Sequence, residues 1–135
     1  MSLTFIQEFQ SEIYKCLNSS AVITSIIKKI YIGPVHNTKP PFISINIIRA
    51  ENKSFCLKKL YNIDFNISIF TKDKNYNQLL ILSDVVTQEL EKLKDIIGNY
   101  CVLGIKANKI DFVTAKDLVI HKADINYKSC ITKRT

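Results

Sequence analysis

The chain has 135 residues, 47% of them hydrophobic, which suits one domain (1–135) around one core and is too apolar for a disordered chain. Its net charge is +7, yet 17 of the 19 basic residues are lysines scattered along the chain and only Arg49 and Arg134 are arginines, so no nucleic-acid-binding cluster stands out. No apolar run approaches the roughly 18 residues a membrane span needs, and Met1 to Phe5 has neither the charged nor the apolar region of a signal peptide.

The expectation is a soluble protein made in a cytoplasm, with no membrane partner. Isoleucine, lysine and asparagine, all with AT-rich codons, are abundant together, which gives the lysine excess an origin unrelated to binding. Cys16, Cys56, Cys101 and Cys130 are too far apart for a metal knuckle, and the histidines are only His36 and His121. We therefore expect reduced thiols, no metal and no cofactor.

Thr4 to Leu17 predicts a helix with Ile6, Phe9, Ile13, Cys16 and Leu17 on one face, capped by Ser2 or Thr4. Asn18-Ser19-Ser20 interrupts it. Ser19 or Ser20 then caps a short second helix with Val22, Ile23, Ile26 and Ile27 inward. Lys28 and Lys29 fall in its last turn, where the helix dipole favours cations, so they need no binding role. Ile30 to Ile32 is a short extended piece that Gly33-Pro34 ends. Val35 to Pro41 is a polar loop whose two prolines enforce extension before the strand Phe42 to Ala50. Glu51 to Lys59 joins that strand, as a hairpin with a long tip, to the most regular stretch of the chain.

That stretch is Leu60 to Phe70. Tyr61, Ile63, Phe65, Ile67 and Ile69 point one way, and Asn62, Asp64, Asn66 and Ser68 the other, the pattern of a strand with one buried and one wet face. After a break, with Asp73 or Asn75 as cap, Leu79, Leu82, Val86, Leu90, Leu93 and Ile97 recur at helical spacing. They predict one long helix of roughly five or six turns, stopped by Gly98 and widened by Leu80, Ile81 and Val85. Cys101 to Ala107 reads as a strand start or a loop, and Lys109 to Val113 as extended. Thr114 to Asp117 is a turn, and Leu118 to Thr132 a last strand in which Val119, His121, Ala123, Ile125, Tyr127, Ser129 and Ile131 alternate with Ile120, Lys122, Asp124, Asn126, Lys128 and Cys130. The sum is an α+β fold: a mostly antiparallel sheet of about four to five strands, with the long helix and the N-terminal helices on one face.

No constellation supports catalysis. Asp111 and His121 approach one another if residues 114–117 turn a hairpin, but no nucleophile accompanies them. Asp64 reads as a solvated side chain. Gly33, Gly98 and Gly104 are isolated, so there is no phosphate-binding loop, and the six tyrosines are spread too widely for a base-stacking platform.

The order of parts resembles the tail terminator, or tail-completion, family of minor tail proteins of long-tailed bacteriophages and gene transfer agents. The resemblance is carried by Ala21 to Ile27, Ile30-Tyr31-Ile32-Gly33-Pro34-Val35, Pro40 to Ile45, Tyr61 to Phe70, Asn75 to Leu93 and His121 to Ile131. One departure is Lys28-Lys29, where the family has a small residue or glycine before the Ile-Tyr pair. The resemblance implies a structural protein of the virion neck that caps the last ring of tail-tube subunits, stops polymerisation and helps join the head. It implies a homo-oligomeric ring, typically a hexamer, with tail-tube protein and head-tail connector as partners, assembled in the bacterial host cytoplasm. No cofactor or enzymatic activity is implied. The alternative reading, on charge alone, is a basic α+β nucleic-acid-binding module; specific nucleic-acid binding is the less favoured of the two. Val35–Pro41 and Glu51–Lys59 flank one strand and should emerge from its opposite ends. Their residues His36, Asn37, Lys39, Lys53, Lys58 and Lys59 are the candidate interface.

Overall fold

The computed structural model describes residues 3–35, 38–54, 59–72, 76–114 and 120–134. Its elements are α1 (Leu3–Asn18), α2 (Ala21–Ile26), β1 (Ile30–Ile32), β2 (Phe42–Asn52), β3 (Leu60–Lys72), α3 (Asn77–Leu90), β4 (Ile96–Ile97), β5 (Tyr100–Thr114) and β6 (Ile120–Lys133). The strands form one six-stranded sheet in the order β1-β2-β3-β6-β5-β4. Every pairing is antiparallel except β1 with β2. The fold is thus α+β and mostly antiparallel, with six strands where the sequence predicts four to five.

β3 and β6 form the centre, and their alternation decides the rest. Tyr61, Ile63, Phe65, Ile67 and Ile69 of β3 are buried, as are Ala123, Ile125, Tyr127, Ser129 and Ile131 of β6. Facing pairs such as Phe65↔Tyr127 and Ile67↔Ile125 put both sets on one face. The Phe65 and Tyr127 rings stack at 5.1 Å. The helices cover that face. Phe9 of α1 meets Phe65 edge-on at 5.5 Å, and Phe5 lies 4.1 Å from Tyr100 at the start of β5. Leu79, Leu82, Val86 and Leu90 of α3 complete the core. Each such side chain, fully buried, contributes about 1.5–3 kcal/mol.

The helices differ from expectation in detail. α1 buries Phe5, Phe9, Ile13 and Leu17; Ile6 and Cys16 stand on its flanks, half-buried. Ser20 caps α2, accepting from the Ile23 amide at 3.3 Å. α2 ends at Ile26, so Lys28 and Lys29 follow it rather than sit in its last turn, and Val22 is exposed rather than inward. α3 is shorter than the apolar stripe suggests. It closes at Leu90 with tight turns, Lys92 N–H to Glu89 O and Leu93 N–H to Leu90 O. Leu93 and Ile97 are still buried, but in the following turn and in β4. Gly98 does not stop a helix: at φ +57° it turns β4 into β5, where an added Cβ would collide with the Glu8 carboxylate. Leu80 and Ile81 do not widen the stripe inward and are exposed, whereas Val85 packs against the core. The capping candidates Ser2, Asp73 and Asn75, the turn 115–117 and residues 118 and 119 lie outside the described residues.

The two extended stretches after the helix are one strand. β5 runs from Tyr100 to Thr114 with register shifts between Val102 and Gly104 and between Ala107 and Lys109. Those irregularities break the period of two.

Candidate functional site

The sheet face away from the helices is polar, and its register brings charged and amide side chains of four strands into rows. One row is Arg49↔Asp64↔Lys128↔Lys106, another Ser44↔Ser68↔Asp124↔Asp111. Between them, Asn126 donates to Asn66 at 2.8 Å and accepts from Asn108 at 3.2 Å. The Ser68 hydroxyl donates to Asp124, which Lys122 also meets at 3.1 Å. These groups satisfy one another, as half-buried polar groups must. A shallow hollow of about 540 Å³ lies on this face, bordered by Glu51, Lys53, Asp64, Lys106 and Lys128. Both charge signs surround it, so it is neither an anion funnel nor a cation cage.

Both sheet edges are largely open. β1 covers β2 only at Ile43–Ile45, and β4 covers β5 only at Tyr100–Cys101. Among the described residues no strand pairs with the outer side of β2 beyond Ile45 or of β5 beyond Val102. The outer half of β5 also carries exposed apolar side chains: Ile110 is 38% and Phe112 42% exposed. Facing pairs with Ile125 and Ala123 place them on the helix side of the sheet, and Tyr76 meets the Phe112 ring at 6.2 Å.

The loop residues expected at the interface do not gather in one patch. Lys39 is exposed just before β2, at one end of the sheet. Lys53 and Lys59 are exposed at the other end of β2, as the opposite placement of the two loops requires. Lys53 pairs with Glu51 at 3.2 Å, which with Arg49 at 3.3 Å holds the Glu51 carboxyl below its ordinary range. The Lys59 carbonyl accepts from the Thr132 hydroxyl at 2.9 Å. His36, Asn37 and Lys58 lie outside the described residues.

Asp111 and His121 are not brought together. β5 and β6 do form a hairpin, but Asp111 faces Asp124 on the polar side, while His121 faces Thr114 on the helix side. There the His121 ring lies 3.1 Å from the Thr114 hydroxyl and edge-on to Tyr76 at 5.3 Å. Cys16 donates to the Glu89 carbonyl at 2.8 Å, and burial, then the Glu89 carboxylate, push its thiol pKa up, so it is not an activated nucleophile. The Tyr127 hydroxyl is buried without a hydrogen-bond partner among the described residues, and burial raises its pKa strongly. The sequence gives no warning of either the orphaned hydroxyl or the paired charges at the sheet edges, since both depend on register.

No family model and no curated protein matches this chain. Among solved structures, a chain of the virion of a native gene transfer agent particle shares its fold, with a TM-score of 0.80 at 13% identity. The likeness covers 97% of this chain and 99% of that one.

Proposed function

We propose that this chain is a structural component of a phage-like or gene-transfer-agent particle, acting at the neck as a tail-completion protein. The observation that carries this reading is the end-to-end likeness in fold to a chain of a gene transfer agent virion, with neither chain leaving a large part unmatched. In this reading the chain is one domain with no enzymatic role and works as a ring, six copies by analogy with the family it resembles. The ring caps the tail-tube protein and offers its other rim to the head-tail connector.

The polar face supports an assembly role. Its side chains pair with one another rather than converge on a ligand, and its cations are interspersed with carboxylates, as in Lys109 with Asp111 and Lys122 with Asp124. That mixture of signs also disfavours the basic nucleic-acid-binding module, which needs cations gathered along a backbone path. The loops at opposite ends of β2 suit a ring with two working rims. Lys39 belongs to one rim, and Lys53 and Lys59 to the other.

The test is assembly with and without the protein. Its omission should give tails of uncontrolled length that are not joined to heads, seen by negative-stain microscopy. Tails of normal length joined to heads in its absence would end this reading.

A further inference from the structure

We infer that the outer edge of β5 takes the outer edge of β2 from a second copy of this chain. The two edges join antiparallel, with Asp111 beside the neighbour's Arg49 and Lys109 beside its Glu51. This rests on the ring reading above and supplies its subunit contact.

Charge complementarity selects the occupant. β2 carries a cation and an anion two residues apart, Arg49 and Glu51, and β5 carries the same pattern in Lys109 and Asp111. All four lie on the polar face, because their facing residues Asp64, Asn62, Asn126 and Asp124 do. In the single chain the pairs close at 3.3 Å and 3.7 Å, Glu51 also holding Lys53 at 3.2 Å; Arg49, Lys109 and Asp111 are exposed and Glu51 partly so. Such exposed pairs hold weakly and can exchange partners. Asp111 has a further reason to do so: its neighbour within the sheet is Asp124, and like charges directly opposite repel. Only an antiparallel join matches both pairs. That is also the join obtained when copies repeat by rotation with strand directions kept, since β2 and β5 run oppositely within one copy.

The shapes agree with the charges. In this register Ala50 faces Ile110 on the helix side, both exposed in the single chain. β5 then runs out near the neighbour's Ile45 and Asn46, where that copy's β1 takes over the edge. Bulges and lysines ordinarily keep edges from pairing. Here the shifts at Ile47/Arg49 and Ala107/Lys109 flank the matched stretch, with Ile48 beside Phe112 and Asn108 beside Asn52, and leave Arg49–Glu51 and Lys109–Asp111 regular.

The register also has the slant a closed sheet requires. Within one copy Asp111 lies in the row of Ser44; across the join it meets Arg49. The displacement, measured on β3 from Ser68 to Asp64, is four positions over the four long strands of one copy. A shear equal to the strand number is that of barrels whose strands tilt by about 36°.

The test is a pair of charge reversals, Arg49→Glu and Asp111→Arg, on the whole chain, with ring formation measured by mass photometry and negative-stain microscopy, alone and with tail-tube protein. Each variant should stay folded, Arg49→Glu with a slightly lower melting temperature because Glu then faces Asp64, and lose rings, its half-assembly concentration rising at least about tenfold, as expected for a like-charge contact. Two combinations should restore them: the double variant, and an equimolar mixture of the two singles, in which every join is again Arg with Asp or Glu with Arg. Glu51→Lys with Lys109→Glu should behave the same way. Rings that persist in all single variants would overturn this contact and leave the capping role standing. Folded doubles that stay monomeric would do the same. A parent chain that forms no ring even on tail tubes would remove both.

Discussion

β3 and β5 are long antiparallel strands of one sheet with opposite fates. β3 has neighbours on both sides and helices over one face; Ile63, Phe65, Ile67 and Ile69 are fully buried. β5 has β6 on one side and little more than the two residues of β4 on the other, and from Lys106 to Thr114 it is exposed. Both carry bulky apolar side chains, so composition does not separate them. Position does: the core reaches only the first residues of β5, where Tyr100 is buried, and the outer half of β5 is exposed surface. Stability therefore resides in β3, and the contact proposed above falls on β5.

The largest effects should come from β3 and the helix above it. Phe65→Ala removes the ring between Phe9 and Tyr127 and should cost about 3–5 kcal/mol in chemical denaturation. Leu82→Ala, at a fully buried position of α3, should cost about 2–5 kcal/mol. An unchanged midpoint in either would put the core elsewhere.

An intermediate effect comes from Tyr127. Its pKa is raised in the folded chain, so the folded state holds this proton more tightly than the unfolded one. The contribution is intact below the unfolded value of about 10 and is lost as pH rises above it, by at most about 1.4 kcal/mol per pH unit. Tyr127→Phe should flatten this alkaline loss and, by removing a buried hydroxyl with no partner among the described residues, should not destabilise at neutral pH. A steeper alkaline loss, or a destabilisation above about 1 kcal/mol, would show that the hydroxyl has a partner. The smallest effect belongs to β5: Phe112→Ala should change the stability of the single chain by no more than about 0.5 kcal/mol. A core-sized loss there would erase the contrast between the strands.

The sequence makes one of these strands far easier to read than the other. Alternation in Tyr61–Ile69 and Ala123–Ile131 identifies the two central strands and, for the first, its buried face, and the Leu79–Leu90 spacing identifies α3. Where the chain turns without breaking its apolar spacing, the reading fails. Leu93 and Ile97 continue the helical rhythm after the helix has ended. In β5 the irregularities around Leu103 and Asn108 shift the phase, so one strand looks like two pieces. The candidate site is less legible still. Lys39, Lys53 and Lys59 are exposed as expected, but the matched edge charges depend on which residues face which, and Asp111 and His121 are parted by a register that sequence spacing does not fix.

Amide hydrogen exchange across residues 109–114, in the isolated chain and in assembled tails, tests most directly whether β5 is completed by a partner. The outward-pointing amides there should exchange within the fraying range in the isolated chain and become strongly protected on assembly, while those of Ile63–Ile69 stay protected in both. Outward amides of β5 that exchange equally fast in finished tails would contradict the account.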